Sequence, residues 1–360
     1  MNKELEKLKK ELQEKTNKIP EIKVIPSFEL IFELLESKEI KINIKEHNIF
    51  NQNAELTKNE SGGFLIEFEG LFHQEIGTID IEIIIKNKVF LAHNLYIYSK
   101  GVSLRKNTDN DFFSGKITLK GNVRDIKQGI KCKTKTYNRF IIPSSQTSID
   151  SYLETNSAYR DEFIVSVRGK ININVDNNAV SLIEKKHKEK SYFIIDSIYT
   201  IDSKTFSEIC HSIMIGYGFI SADFIQNEAY YLESKEADFN SITHFSYLQL
   251  RPSIIAGGNC NPIYSNPYGY TKDKSILDKI GIQIRVFDDN LFSILCTKIH
   301  NEQDYATLIL LILEANISSL ILRPAGYSVA LEKITNIIVE ENKGLKPIPD
   351  KKISKDFFST

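Results

Sequence analysis

Hydrophobic positions change their period along this chain, and the changes mark its organisation. Leu5, Leu8 and Leu12 recur at spacings of three and four among Glu and Lys, which predicts a short helix with a narrow apolar stripe near the N-terminus, within residues 1–22. Fewer than two heptads are available, too few for a dimerising coiled coil. Pro26-Ser27 opens a second helix. Ser27 can accept a hydrogen bond from a first-turn amide, and Phe28, Ile31, Phe32 and Leu35 form its expected apolar face.

From Ile40 the period becomes two. Ile40, Ile42 and Ile44 alternate with polar residues, as do Phe64, Ile66 and Phe68, and Ile79, Ile81, Ile83 and Ile85. This is the pattern of half-buried antiparallel strands. Glycines at 62, 63, 70, 77, 101, 115 and 121 punctuate them at turn-like intervals. A β-rich domain over 23–150 is expected, sandwich-like or barrel-like, closed by a Ser/Thr-rich linker over 143–157.

Residues 151–300 read as a mixed α+β domain. Phe163, Val165, Val167, Ile171, Ile173 and Val175 alternate up to the turn Asp176-Asn177-Asn178, and another strand follows over 192–201. A helix comes next, with Thr205 and Glu208 as a capping box, Phe206, Ile209, Cys210, Ile213 and Tyr217 on one face, and Gly216 and Gly218 at its end. Strands are expected near 228–233, 243–250, 281–287 and 291–296. After His300 the period is helical again. Asn301 can cap, Tyr305 to Ala315 is apolar almost all round, and Pro324 opens a helix with Ala330, Ile334, Ile337 and Ile338 on one face, ended by Gly344 and Pro347. Ile353, Phe357 and Phe358 begin what reads as a third helix. The overall expectation is α+β: a β-sandwich-like N-terminal region, a mixed α/β middle, and a C-terminal helical pair or partial bundle over 301–360. That bundle either docks on the β region or is the front portion of something longer.

Composition narrows the function classes. The 360 residues carry 46 Lys+Arg against 47 Asp+Glu, so the chain as a whole is not a basic nucleic-acid coat, although a local basic patch is compatible with this balance. A hydrophobic fraction of 41% is enough for real cores. The N-terminus has no apolar core of the secretory type, and the longest apolar run, Leu308–Leu313, is six residues. Cys132, Cys210, Cys260 and Cys296 are scattered, as expected of reduced thiols. Together these features predict a cytoplasmic protein with no membrane partner. The absence of Trp and the abundance of Ile, Asn and Lys fit an AT-rich genome better than any function.

Three constellations bear on chemistry. A restriction-type nuclease core needs an acid followed by Glu-x-Lys on a strand to hold a divalent metal. Asp223 with Glu233-Ser234-Lys235 has that form, but so does Glu36-Ser37-Lys38 at a helix end, which shows how readily a Lys- and Glu-rich chain matches it; the plain alternative is a solvated turn. Lys131, Lys133 and Lys135 alternate with Cys132 and Thr134, near Lys127 and Arg139. On a strand they would form a phosphate track for nucleic acid, or an edge protected from aggregation. The loop over 257–270 concentrates Asn259, Asn261, Tyr264, Asn266 and Tyr268, a composition suited to recognising a protein or small ligand, or to a long structural loop held by Pro262 and Pro267. Cys296 with His300, and His73 and His93 near Glu75 and Glu82, lack the further ligands of a zinc site, so no metal and no cofactor is expected. Neither a Gly-x-Ser-x-Gly elbow nor a dinucleotide-binding glycine fingerprint is present.

The segments Tyr247-Leu-Gln-Leu-Arg-Pro-Ser-Ile, Asn261-Pro-Ile-Tyr-Ser-Asn-Pro-Tyr and Tyr327-Ser-Val-Ala-Leu-Glu-Lys-Ile-Thr resemble the N-terminal region of HEPN-linked bacterial defence proteins of the ApeA type. The resemblance covers about residues 25–360. It implies a β-rich sensor region ahead of an all-helical HEPN ribonuclease domain, with residues 301–360 as the start of the helical part. The HEPN signature, an Arg followed after four to six residues by a His, is absent from this sequence, so the resemblance assigns nuclease activity to no residue here. The expectation is a non-catalytic binding or sensor region coupled to a helical effector. A metal-dependent nuclease and a nucleic-acid-binding module stand as alternatives.

Overall fold

The computed structural model describes residues 26–59, 62–69, 78–106, 113–144, 149, 153, 156–160, 163–187, 190–221, 228–249, 287–318 and 321–342. The fold is α+β and divides into two compact units. One is drawn from Met1–Tyr137 and Tyr230–Gln249, the other from Asn138–Ala229 and Leu250–Thr360.

The first unit is built on two three-stranded meanders. β1 (Glu39–Ile44), β2 (Ile49–Lys58) and β3 (Phe64–Glu69) form one; β4 (Thr78–Ile85), β5 (Lys88–Lys106) and β6 (Phe113–Val123) form the other. β1 pairs antiparallel with β4 and β3 with β6, so the six strands close into a ring. Closure satisfies the backbone groups that an open sheet would leave at its edges. The period-two pattern explains the interior. Ile40, Ile42, Ile44, Phe64, Ile66, Phe68, Ile81, Ile83 and Ile85 are all buried, and each contributes about 1.5–3 kcal/mol of apolar transfer. A barrel therefore stands where a sandwich-like region was expected; alternation alone does not distinguish the two, since both bury one face of every strand.

α1 (Pro26–Glu36) precedes the barrel, and Glu33 on it accepts from Lys88 Nζ at 3.2 Å. Its buried positions are Ser27, Leu30, Ile31 and Leu34. The expected face is thus displaced: Phe32 and Leu35 are only half-buried. The N-terminal Leu5–Leu12 stripe lies outside the described residues.

The first half of β5 also pairs with β7 (Asp125–Gly129), β7 pairs with β14 (Ile242–Gln249), and β14 neighbours β13 (Glu228–Ser234). Tyr230, Phe245 and Tyr247 form one aromatic layer of this extension. Tyr247 meets Phe64 edge-on at 4.8 Å and Phe245 meets Phe90 at 6.1 Å. The Tyr247 hydroxyl accepts from Gly63 N–H at 2.6 Å and from Lys58 Nζ at 2.9 Å.

The second unit is an antiparallel sheet in the order β8 (Tyr137–Ser144), β12 (Lys190–Ser197), β11 (Asn178–His187), β10 (Phe163–Val175), β9 (Asn156–Arg160). Asp176 and Asn177 both have positive φ, 49° and 64°, the two-residue turn that matches strand twist. α2 (Ser203–Ser221) places Tyr217 against Phe193 of β12, ring centroids 4.9 Å apart. Its cap is Asp202, which accepts from Lys204 and Thr205 N–H, so Thr205 lies inside the helix rather than capping it. Gly216 and Gly218 are also internal. A Cβ at Gly216 would sit 3.3 Å from Cys296 Sγ and 3.4 Å from Ile299, so the glycine permits close approach of the next helix and does not end its own.

That next helix, α3 (Asp289–Asn301), overturns the strand expected over 291–296. Asp288 caps it by accepting from Leu291 N–H at 2.6 Å, and Phe292, Cys296 and Ile299 form its buried stripe. A short apolar run fits either period until its cap is recognised. Asn301 is the last residue of α3 rather than a cap, and α4 (Gln303–Ile317) follows directly. Ile215, Ile299, Ile309 and Leu313 form the core between α2, α3 and α4. α5 (Arg323–Glu341) carries Pro324 in its first turn and buries Ala330 and Ile337 beside Leu308, while Ile338 is exposed. Gly344, Pro347 and the expected third helix lie outside the described residues.

Candidate functional site

The sequence-derived candidates fall into three places. Asn259, Asn261, Tyr264, Asn266 and Tyr268 lie outside the described residues, as does Asp223. Lys131, Lys133 and Lys135 are described, but not on a strand: they occupy the irregular connection between β7 and β8, so alternation does not align them. Arg139 is on β8 of the other unit. It is buried, and its Nε and Nη2 donate to Asp196 Oδ1 and Oδ2 at 2.6 and 2.8 Å, a bidentate pair across β8 and β12. The Arg139 guanidinium is thus committed to Asp196.

Glu233 is not in a solvated turn. It lies on β13, a strand buried at every position, and its side chain is fully buried. Oε2 accepts from Cys132 N–H at 2.8 Å and Oε1 from the Tyr231 hydroxyl at 2.8 Å. Such charge-assisted bonds offset the cost of removing a carboxylate from water. Lys235 is exposed beyond the end of the strand. Among the described residues no three His, Cys, Asp or Glu side chains converge to hold a metal ion. The His93 ring pairs with Asp80 at 2.9 Å, and Glu82 with Asn43 and Lys45. His300 lies 3.4 Å from Ser212 Oγ, and Cys296 is buried.

Glu233 instead anchors the lysine connection, and further contacts hold the same segment. Gly129 ends β7 at φ +76°, where a Cβ would come 2.2 Å from the Thr243 carbonyl, so only glycine fits. Ile130 N–H donates to the Thr243 carbonyl at 3.2 Å. The Cys132 thiol lies 3.4 Å from Thr243 Oγ1, and that hydroxyl donates to the Glu233 carbonyl at 3.2 Å. Lys131 Nζ is 6.0 Å from the centre of the Tyr231 ring, the outer limit of a cation–π contact. Lys133 and Lys135 are exposed and make no ion pair or hydrogen bond among the described residues. Ile130 is 85% exposed. The connection is thus fixed at Gly129, Ile130 and Cys132 and presents two unpaired ammonium groups beyond them.

His244 completes the surroundings. It is 6% exposed, and its Nδ1 has no hydrogen-bond partner among the described residues. Its ring centre lies 6.2 Å from that of Tyr231. Burial holds the imidazole below its ordinary pKa of 6.5, opposed by the charge of Glu233 and a hydrogen bond to the Gly129 backbone. His244, Tyr231 and Gly129 belong to no recognisable sequence motif. The one available signal was a lone polar ring at His244 in the aromatic strand Phe245–Tyr247.

The same unit also carries an acidic concavity. A concavity of about 530 Å³ is lined by Glu39, Glu55, Glu67 and Glu69, with Glu39 opposite Glu55 and Glu55 opposite Glu67 in register. Only Glu67 of that cross-strand row has a lysine partner within ion-pair distance among the described residues, Lys120 at 2.7 Å. Among the described residues no helix is long and apolar enough to cross a membrane. The chain matches no family model, no curated protein and no solved structure.

Proposed function

We propose that this chain is a binding region whose ligand-contacting element is the connection Ile130–Lys135, and that its ligand is a polyanion of the nucleic-acid class. One observation carries the reading: a fully buried carboxylate, Glu233, holds the backbone of a segment whose exposed side chains include three lysines, two of them unpaired. Ordering a loop before binding reduces the entropy lost on association. The acidic row Glu39–Glu55–Glu67 repels polyanions from the barrel wall and so directs them to the connection. With Lys133 and Lys135 each displacing a counterion, log K against log salt has a slope of about −1.4 for a single strand. The commitment of both Glu233 oxygens to Cys132 and Tyr231 favours a holding role for this residue over the metal-ligand role of the nuclease alternative. In the resemblance to HEPN-linked proteins, such a binding region is the sensor, and the helices over 301–341 are the part that couples to an effector.

The test is fluorescence anisotropy of a labelled oligothymidylate at pH 7.5. The wild-type chain binds with that salt slope, and Lys133→Glu/Lys135→Glu weakens it more than about tenfold. Equal affinity in the two proteins contradicts the proposal.

A further inference from the structure

The solvent side of an antiparallel strand is ordinarily polar, but the outer row of β5 is apolar and aromatic. Val89, Leu91, Tyr96 and Tyr98 are all exposed, the two tyrosines at 54% and 46%. Strict alternation would not produce this row. Phe90 and Ala92 are buried, and so are Leu95 and Ile97, so one extra residue intervenes at 93–94. Asp80 holds that bulge. One oxygen accepts from Asn94 N–H at 2.9 Å, with Asn94 at φ 53°, and the other pairs with the His93 ring at 2.9 Å. The register between β4 and β5 shifts at the same point. The bulge thus turns Tyr96 and Tyr98 onto the face of Val89 and Leu91. Neither ring has a hydrogen bond or ring contact among the described residues, so stacking on them displaces no internal partner.

The lysine connection lies on this same face. Opposed residues of neighbouring strands point to one side. Leu91 stands opposite Lys127, Lys127 opposite Ser246, and Gly129 opposite His244. The His244 ring is 6.2 Å from that of Tyr231, and Tyr231 has Lys131 Nζ 6.0 Å from its centre. β7 runs on from Lys127 to Gly129 as β5 runs back from Leu91 to Val89, so Val89 lies where the connection begins. From there to Tyr98 the row extends about 25–30 Å. The acids along it are paired, Asp80 with His93 and Asp125 with Lys127. At its far end Lys120, opposite Ser99, is held by Glu67, and the acidic row starts there.

We infer that the outer row of β5 is the base-stacking half of the binding site: a single nucleic-acid strand that meets Lys133 and Lys135 through its phosphates lays bases on Tyr96 and Tyr98. The two rings, about 7 Å apart along the strand, take one base each. Glu67 and the acids behind it stop the path beyond Tyr98. A duplex is excluded from the stacking half because its bases face one another. The ligand class rests on the polyanion reading above; the use of the tyrosines goes beyond it.

The test is anisotropy of three labelled ligands with the full chain at pH 7.5: an oligothymidylate of about twelve nucleotides, an abasic oligomer with the same number of phosphates, and a duplex of the same length. Tyr96→Ala/Tyr98→Ala weakens oligothymidylate binding at least about thirtyfold and leaves the salt slope near −1.4, whereas Tyr96→Phe/Tyr98→Phe stays within about threefold of wild type. The abasic oligomer and the duplex bind more weakly and ignore both tyrosine variants. Far-UV circular dichroism confirms the fold of each protein. Wild-type affinity in the alanine variant, or equal binding of the abasic oligomer and oligothymidylate, overturns the stacking row; loss through Lys133→Glu/Lys135→Glu in that same series retains the polyanion reading. Loss through the tyrosines with none through the lysines keeps the stacking row and refutes the lysine connection as the contact. Absence of binding to all three ligands overturns both.

Discussion

Each unit of this protein ties down an acid, half-buried Asp196 in one and fully buried Glu233 in the other, and the two acids are used differently. In the β8–β12 sheet Asp196 faces a cation, Arg139, through two hydrogen bonds on neighbouring strands, so both ends of the pair belong to regular structure. In the barrel unit Glu233 faces neutral donors, and one of them, the Cys132 amide, belongs to an exposed connection. The first arrangement cross-links a sheet and leaves no group for a ligand. The second transmits the rigidity of a buried strand to a segment carrying lysines in water. The identity of what each acid holds therefore sets its role.

The comparison can be broken at its strongest point first. Arg139→Ala leaves Asp196 without its counter-ion and lowers stability by about 3–5 kcal/mol in urea unfolding; a loss under about 1 kcal/mol would show that the pair is dispensable. Glu233→Ala costs less, about 2–3 kcal/mol, because the donors it strands are neutral. Its distinguishing consequence is local: exchange of the Cys132 amide accelerates far more than that of the sheet core. Gly129→Ala produces a similar loss, at least about 2 kcal/mol, by forcing a Cβ into the Thr243 carbonyl at positive φ.

A pH series gives a smaller effect with a definite sign. The folded pKa of His244 is depressed, so the unfolded chain takes up its proton first. Stability attributable to this residue is complete above about pH 6.5 and is lost as the pH falls from there towards the folded value. Thermal melts at pH 7.5 and 5.5 should show a larger drop for wild type than for His244→Gln. Smallest of all in stability, within about 0.5 kcal/mol, are Lys133→Gln and Lys135→Gln, which touch nothing that holds the fold.

Much of the architecture is written locally. Alternation at Ile40–Ile44, Phe64–Phe68 and Ile81–Ile85 marks barrel strands because each strand buries one face. Ring closure is not written there, since the pairings of β1 with β4 and β3 with β6 join segments tens of residues apart. The helix at Asp289–Asn301 reads as strand in sequence because its cap, Asp288, is a single residue beside a short apolar run. The site shows the same division. The lysines at 131, 133 and 135 stand out in sequence, but their anchor is Glu233, about a hundred positions later. A short Glu-x-Lys pattern drew attention to Glu233 for a metal role, whereas its hydrogen bonds depend on burial that no spacing encodes.

The most direct test of the account is a hydrogen-exchange footprint of the full chain with and without saturating oligothymidylate at pH 7.5. The account predicts added protection over residues 129–136 and none over the β8–β12 sheet or the glutamate-lined concavity. Protection centred on any other segment, with 129–136 unchanged, would contradict it.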